Sequence, residues 1–150
     1  MIGGWQLNGI YSLLGGTPFS ITASRNPGSR LADLVGNPSV NPGNITNYVN
    51  TAAFAMPAKT IQGVYIAPGT AGRDILRGPG LSNRDLALFK NFAVTERVKG
   101  QFRPQAYNLT NTPYFANPAD TNLNNGHIGL INSVLTNSWR QVELGLRFTF

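Results

Sequence analysis

Cysteine is absent from the 150 residues, so the chain has neither a disulfide framework nor a thiolate metal centre. Histidine is almost absent. His127 is the only one, and a single imidazole with no thiol and no second histidine is more simply a loop residue than a metal ligand. No apolar run approaches the ~20 residues of a membrane helix. The opening residues, MIGGWQLNGIYS, have no basic stretch followed by a continuous apolar segment, so they do not read as a secretory leader. A chain of this kind working outside the cytoplasm is expected to take its export signal from elsewhere. Charge is sparse too: Asp, Glu, Lys and Arg make up 12%, about half the ~25% of ordinary soluble domains. Acids are the scarcer sign, six against twelve bases, for a net charge of +6. The basic excess is scattered without a run of consecutive cations, which argues against a nucleic-acid partner.

Turn formers and alternating residues fill the space. Seventeen glycines and ten prolines, with asparagine throughout, favour turns and long connections over helices. The last eleven residues, RQVELGLRFTF, alternate strictly. Val142, Leu144, Leu146, Phe148 and Phe150 share one parity, and Gln141, Glu143, Gly145, Arg147 and Thr149 share the other. A period of two describes a strand with one apolar and one polar face. Such a strand either covers a soluble core or walls a transmembrane barrel, and the tail alone does not separate the two.

Three further segments alternate. In GWQLNGIYSLLGGTPFSITAS the apolar parity of Trp5, Leu7, Tyr11 and Leu13 continues through Phe19, Ile21 and Ala23, which suggests one long strand kinked at Gly15–Pro18; a hairpin at Gly15-Gly16 is the competing reading. In RDLALFKNFAV, Leu86, Leu88 and Phe92 agree, but Lys90 falls among them. Either Lys90 snorkels to an interface or a bulge near Phe89 shifts the register. In RVKGQFRPQAYNL the polar parity holds Arg97, Lys99, Gln101, Arg103 and Gln105, and Val98, Gly100, Phe102, Pro104 and Ala106 lie opposite. Residues 25–81 show no sustained period, although IQGVYIA is a possible strand outside the main sheet. Residues 110–138 form a second long polar connection. The expected order is therefore strand, long loop, strand, short turn at Thr95-Glu96, strand, long loop, strand. That is the asymmetry of an outer-membrane barrel, with short turns at one end and long loops at the other.

Chemical motifs are few. Asp74 and Asp85 stand near Arg73, Arg77 and Arg84, and loop ion pairs are the simpler reading than a catalytic carboxylate pair. No Gly-x-Ser-x-Gly elbow occurs, and the GPG and GGTP glycines are not followed by a helix that would make them a phosphate loop. Asn44-Ile45-Thr46 and Asn108-Leu109-Thr110 match the glycosylation pattern but have no meaning in a bacterial outer membrane. Arg97, Lys99 and Arg103 with Tyr107 do not make an RNA-binding sheet, because Phe102 lies on the opposite face from the cations.

The stretches AGRDILRGPGLSNRDLALFKNF, TERVKGQFRPQAYNLTNTPYF and the closing RQVELGLRFTF resemble late barrel strands of TonB-dependent outer-membrane receptors. The nearest group is the Oar-like receptors with a carboxypeptidase-regulatory-like domain. GWQLNGIYSLLGGTPFSIT fits an earlier strand of the same group. Pro104 and Gln105 depart from the Ala or Gly and the Glu expected there. The resemblance implies an all-β, antiparallel transmembrane β-barrel fragment. It would have about four long meander strands, near 4–24, 83–94, 97–109 and 139–150, and long loops at 25–81 and 110–138.

Such receptors use about 22 strands around a plug, so the chain is expected to be the C-terminal, barrel-closing part of a receptor or transporter, without the plug and TonB box. Phe150, Phe148 and Leu146 would form the signal read by the barrel-assembly machinery. Arg97, Lys99, Gln101, Arg103, Glu143 and Arg147 would face the lumen, and Trp5, Phe92 and Phe150 would belong to an aromatic girdle. Expected partners are outer-membrane lipid, the assembly machinery, the rest of the barrel with its plug, and, through that missing part, the TonB system. No cofactor, enzymatic activity or nucleic acid is expected. A small autonomous porin-like barrel, and a soluble basic β-protein binding nucleic acid or polysaccharide, are the alternatives.

Overall fold

A computed structural model describes residues 3–23 and 30–150. In chain order the strands are β1 (Trp5–Leu14), β2 (Pro18–Phe19), β3 (Asp33–Leu34), β4 (Phe54–Ala55), β5 (Leu76–Arg77), β6 (Leu81–Ala93), β7 (Lys99–Tyr107) and β8 (Gln141–Thr149). The long strands form one antiparallel sheet in the order β1-β6-β7-β8, while β2 pairs with β5 and β3 with β4. The described residues divide into two compact units.

The first unit holds the four-stranded sheet: the residues up to Leu14, then Leu81–Tyr114 and Thr136–Phe150. Its register is continuous. Trp5 stands opposite Lys90 and Leu14 opposite Leu81, with nothing inserted between them. Between β6 and β7 the pairing runs from Ala93 opposite Lys99 to Leu86 opposite Ala106. It lapses only around Pro104, which has no N–H to offer, and resumes in the same register. β8 pairs along the whole of β7, from Lys99 opposite Thr149 to Tyr107 opposite Gln141. A compact turn joins β6 to β7, with the Val94 and Thr95 N–H groups both donating to Val98 O and the Val98 N–H to Thr95 Oγ1. Both long connections start and finish at the opposite end of the sheet.

The second unit holds Gly15–Gly80 and Phe115–Leu135, and here the sequence reading needs correction. The expected strand near 4–24 stops at Leu14. The Thr17 carbonyl accepts from Gly78 N–H at 2.9 Å and Pro18 pairs with Arg77, so the chain leaves the first sheet at Gly15. The alternation continues through Phe19, Ile21 and Ala23 because these residues enter a different core, where all three are buried. The expected loops 25–81 and 110–138 contribute together to that core. Ile21, Tyr48, Val49, Phe54, Leu76 and Ile131 cluster in it, and Tyr48 N–H donates to Gly129 O and Ile131 N–H to Ile45 O across the two segments. Each large apolar side chain buried this way contributes up to roughly 1.5–3 kcal/mol. IQGVYIA is not a strand. It is a turn closed by Gly63 N–H to Thr60 O and bridged at Lys59 and Tyr65. The part of the first expected strand at Ser24 lies outside the described residues.

Tyr48 is the polar member of this core. It is buried and its hydroxyl donates to Arg77 O at 3.0 Å. Burial raises its pKa above the ordinary tyrosine value, because the phenolate would lose its hydration. A raised folded-state pKa gives a stability contribution that is complete below the unfolded-state value and is lost as pH rises through the folded-state value. Urea unfolding of the second unit should therefore show falling stability above about pH 10. Tyr48→Phe should flatten that fall while costing about 1 kcal/mol near neutral pH.

The sheet has two edges. β1 and β8 each have a single partner strand, and four strands cannot close, since about eight is the smallest practical barrel. Unpaired edges recruit other chains. The isolated polypeptide is expected to aggregate in detergent-free buffer and to become monodisperse only in detergent, as light scattering would register; a water-soluble monomer would contradict this account of the sheet.

Candidate membrane-facing site

Constant register sorts the sheet into two faces. Leu7 and Leu88 lie opposite each other, as do Gly9 and Leu86. Phe102 faces Leu146, Pro104 faces Leu144, and Ala106 faces Val142. These residues form one apolar surface, and it is exposed: Leu7 is 64% and Leu144 72% accessible, whereas Ile21 in the second unit is wholly buried. The opposite face holds Gln6, Asn8, Ser12, Asn91, Gln101, Gln105 and Glu143 by the same alternation. β1 has 10 residues, β6 13, and β7 and β8 9 each. A tilted strand crosses a bilayer with about 9–11, so every strand is long enough.

Aromatic side chains gather at the turn end of the apolar face. Phe92 stands opposite Gly100 and Gly100 opposite Phe148, and Trp5 lies one step further in, opposite Lys90. A Cβ at Gly100 would run into the Phe92 ring, so the ring covers the bare backbone there and only glycine leaves it room. Lys90 does point to the apolar face, and no bulge accompanies it. Its ammonium lies 4.6 Å from the Trp5 ring centroid and donates to Gly3 O at 2.7 Å. This is a snorkel toward the strand end. Arg84 mirrors it six residues away, its guanidinium 5.4 Å from the Tyr11 ring. Each cation on this face is thus paired with an aromatic, with the apolar band between them, as at the two interfaces of a membrane.

The polar face changes charge along its length. From the turn end come Lys99, then Arg147 opposite Gln101, then Arg103 opposite Gly145, then Glu143 opposite Gln105, and then Asp85 beyond the last β6–β7 pair. Asn91, Lys99, Gln101 and Arg147 line a depression of about 560 Å³ at the basic end. Arg103 lies 5.1 Å from the Phe89 ring, beside the gap left by Gly145, and its Nε is buried without a partner. Of the residues expected on this face, Lys99, Gln101, Arg103, Glu143 and Arg147 share it. Arg97 does not: it sits in the turn, outside β7, because the bonds of Val94 and Thr95 to Val98 hold the chain off the strand there. Leu146 and Phe148 lie on the apolar face, and Phe150 follows the end of β8, 95% exposed.

At the other end the polar face passes into a hydrogen-bonded loop cluster that the alternation did not reveal. Asn108 is buried in the left-handed region with φ 48°. Its Nδ2 donates to Thr112 O and Ser138 O, both at 2.9 Å, and its Oδ1 accepts from Thr112 N–H at 3.0 Å. Asp85 accepts from Asn108 N–H at 2.9 Å and from Asn83 Nδ2 at 3.0 Å, and Tyr114 OH donates to Asn83 Oδ1. Desolvation, then the nearby Asp85 charge, raises the Tyr114 pKa, so the hydroxyl stays a donor. The partners of Asp85 are neutral amides, and Asp74 in the second unit is bonded to Ser20. Both glycosylation-like triplets are turn devices: Asn44 Oδ1 accepts from Thr46 and Asn47 N–H groups.

The model of the outer membrane beta barrel domain family matches residues 1–143. The chain belongs to that family. No curated protein matches it, and no solved structure matches it. Membership places this outer membrane beta barrel domain in the outer membrane, in contact with lipid. The cation–aromatic pairs and strand lengths are therefore features of a membrane wall.

Asn108 ties β6 and β7 to the loops at both flanks, and its removal is measurable. Asn108→Ala should cost roughly 2–4 kcal/mol in urea unfolding in detergent, since it orphans buried groups and leaves alanine at positive φ. Asn108→Asp, which turns a buried carboxylate oxygen toward the Thr112 and Ser138 carbonyls beside Asp85, should cost at least as much.

Proposed function

We propose that this sheet is the barrel-closing part of a TonB-dependent outer-membrane receptor or transporter, with its apolar face toward lipid and its polar face toward the lumen. The carrying observation is the unbroken register, which makes one continuous exposed apolar surface from four strands of membrane-crossing length. The motifs shared with Oar-like receptors and the single short turn opposite two long connections support the finer assignment. In this reading Lys99, Gln101, Arg103, Glu143 and Arg147 line the lumen, and Phe148, Leu146 and Phe150 are presented to the assembly machinery. The remaining strands and the plug supply the link to the TonB system. The role is structural, with no reaction and no cofactor assigned to the chain.

Energetics favours this orientation over its reverse. Turning the sheet over would place Arg103 and Glu143 in hydrocarbon, where an Arg near the midplane costs roughly 2–4 kcal/mol. It would also put the leucines of β1 and β8 in water, at up to about 1.5–3 kcal/mol each. The penalties add. Because the chain has no cysteine, single cysteines report orientation cleanly. In the membrane-embedded protein, a water-soluble thiol reagent should label Glu143→Cys and spare Leu144→Cys. Equal or inverted labelling would rule out β8 as a wall between lipid and lumen.

A further inference from the structure

Where the polar face meets the loop cluster, a pocket of about 340 Å³ opens, within the ~300–1,000 Å³ typical of small-molecule sites. Its lining has a particular chemistry. Trp139 is 57% and Tyr107 39% exposed, so two aromatic side chains remain available to a ligand. Asp85 and Glu143 are the charged residues of the lining, and neither Lys nor Arg is among them. Asn137 and Gln141 add amides, each of which donates and accepts. Asp85 is already held by Asn108 N–H and Asn83 Nδ2, which fixes one wall in advance.

We propose that this pocket is a binding subsite for a neutral saccharide. The argument is by elimination on the lining. An anion would meet two carboxylates and no compensating cation. A quaternary or primary amine would use the carboxylates and the aromatic faces but leave the amide donors of Asn137 and Gln141 unmatched. A sugar ring uses all of them. Its apolar C–H face stacks on Trp139, its hydroxyls donate to Glu143, and the same hydroxyls accept from the amides. Hydroxyls that both donate and accept fit a mixed lining better than a ligand of one polarity. Of the basic residues, Lys99 and Arg147 stand further along the strands, and Arg103, one same-face step from Glu143, is turned onto the Phe89 ring and does not line the pocket, so the carboxylate end keeps its own preference.

This inference rests on the lumen-facing reading and names the class of molecule the lumen receives. Its test uses the protein solubilised from the membrane in detergent, titrated by calorimetry with four neutral oligosaccharide series (malto-, cello-, xylo- and chito-oligosaccharides), with choline as the cationic probe. At least one series should bind saturably. Trp139→Ala and Glu143→Gln should each weaken that binding at least about tenfold, the size of one lost stacking or charge-assisted contact. Unchanged unfolding midpoints would show that both variants keep the fold. Saturable choline binding with no saccharide bound would overturn the proposal, as would no binding in any series, or saccharide binding that both variants leave unaltered. If cysteine labelling places Glu143 on the water side while the saccharides fail, the subsite is refuted and the lumen assignment stands.

Discussion

Everything in the first unit depends on one constraint: no residue is inserted or lost at any of its three strand pairings. Side chains alternate with a period of two, so a single slip would carry a whole strand's apolar set to the other face. Local devices hold the register where it is weakest. The turn at 94–98 sets β6 against β7 through three hydrogen bonds. Phe92 fills the space that Gly100 leaves. Pro104 suspends the ladder on one side, yet the pairs on either side of it keep the same offset. Two charges break the apolar pattern, and both are handled in place, Lys90 on Trp5 and Arg84 on Tyr11.

The two units solve opposite solvation problems with one composition. In the sheet, most large apolar side chains share one exposed face, with Ile10, Leu14 and Phe89 on the other, which carries most of the charge. In the second unit Ile21, Val49 and Ala32 are buried as in any water-soluble core. A chain serving both environments needs few surface charges, which accounts for the 12% charged residues. It also explains why turn formers replace helix formers. The second unit is built from short ladders, bridges and asparagine turns rather than from long periodic elements.

The sheet was legible in the sequence because period-two alternation is a local signal, which the long strands carry along most of their length, with an interruption at Lys90 in β6. The segment from Trp5 to Ala23 misled for the same reason. Parity records which side chains are apolar, not which core receives them, so Phe19 and Ile21 read as a continuation of β1. The second core was invisible because strands of two residues have no period. Its contacts also join residues about eighty positions apart, as Tyr48 and Gly129 do. Arg97 was misassigned by one feature, the turn that takes it off the strand. Asn108 carried only its match to a glycosylation triplet. What makes it structural is burial and positive φ, neither of which a sequence displays. The pocket beside it joins residues from three separate segments and had no linear signature at all.

The edges impose a last condition. In hydrocarbon no water is present to satisfy an exposed strand, and each unpaired backbone N–H or C=O costs several kcal/mol. A domain's whole stability is about 5–15 kcal/mol, so a few unsatisfied groups on β1 or β8 would rival it. The sheet in the outer membrane must therefore meet further strands on both sides, whichever polypeptide supplies them. The joins must prolong the same register, because a neighbour displaced by one residue would set its polar side chains beside the apolar face of Leu144 or Leu7. The closed wall thus inherits its orientation from these four strands, and the polar face they fix is also the surface on which Glu143 and Trp139 come together.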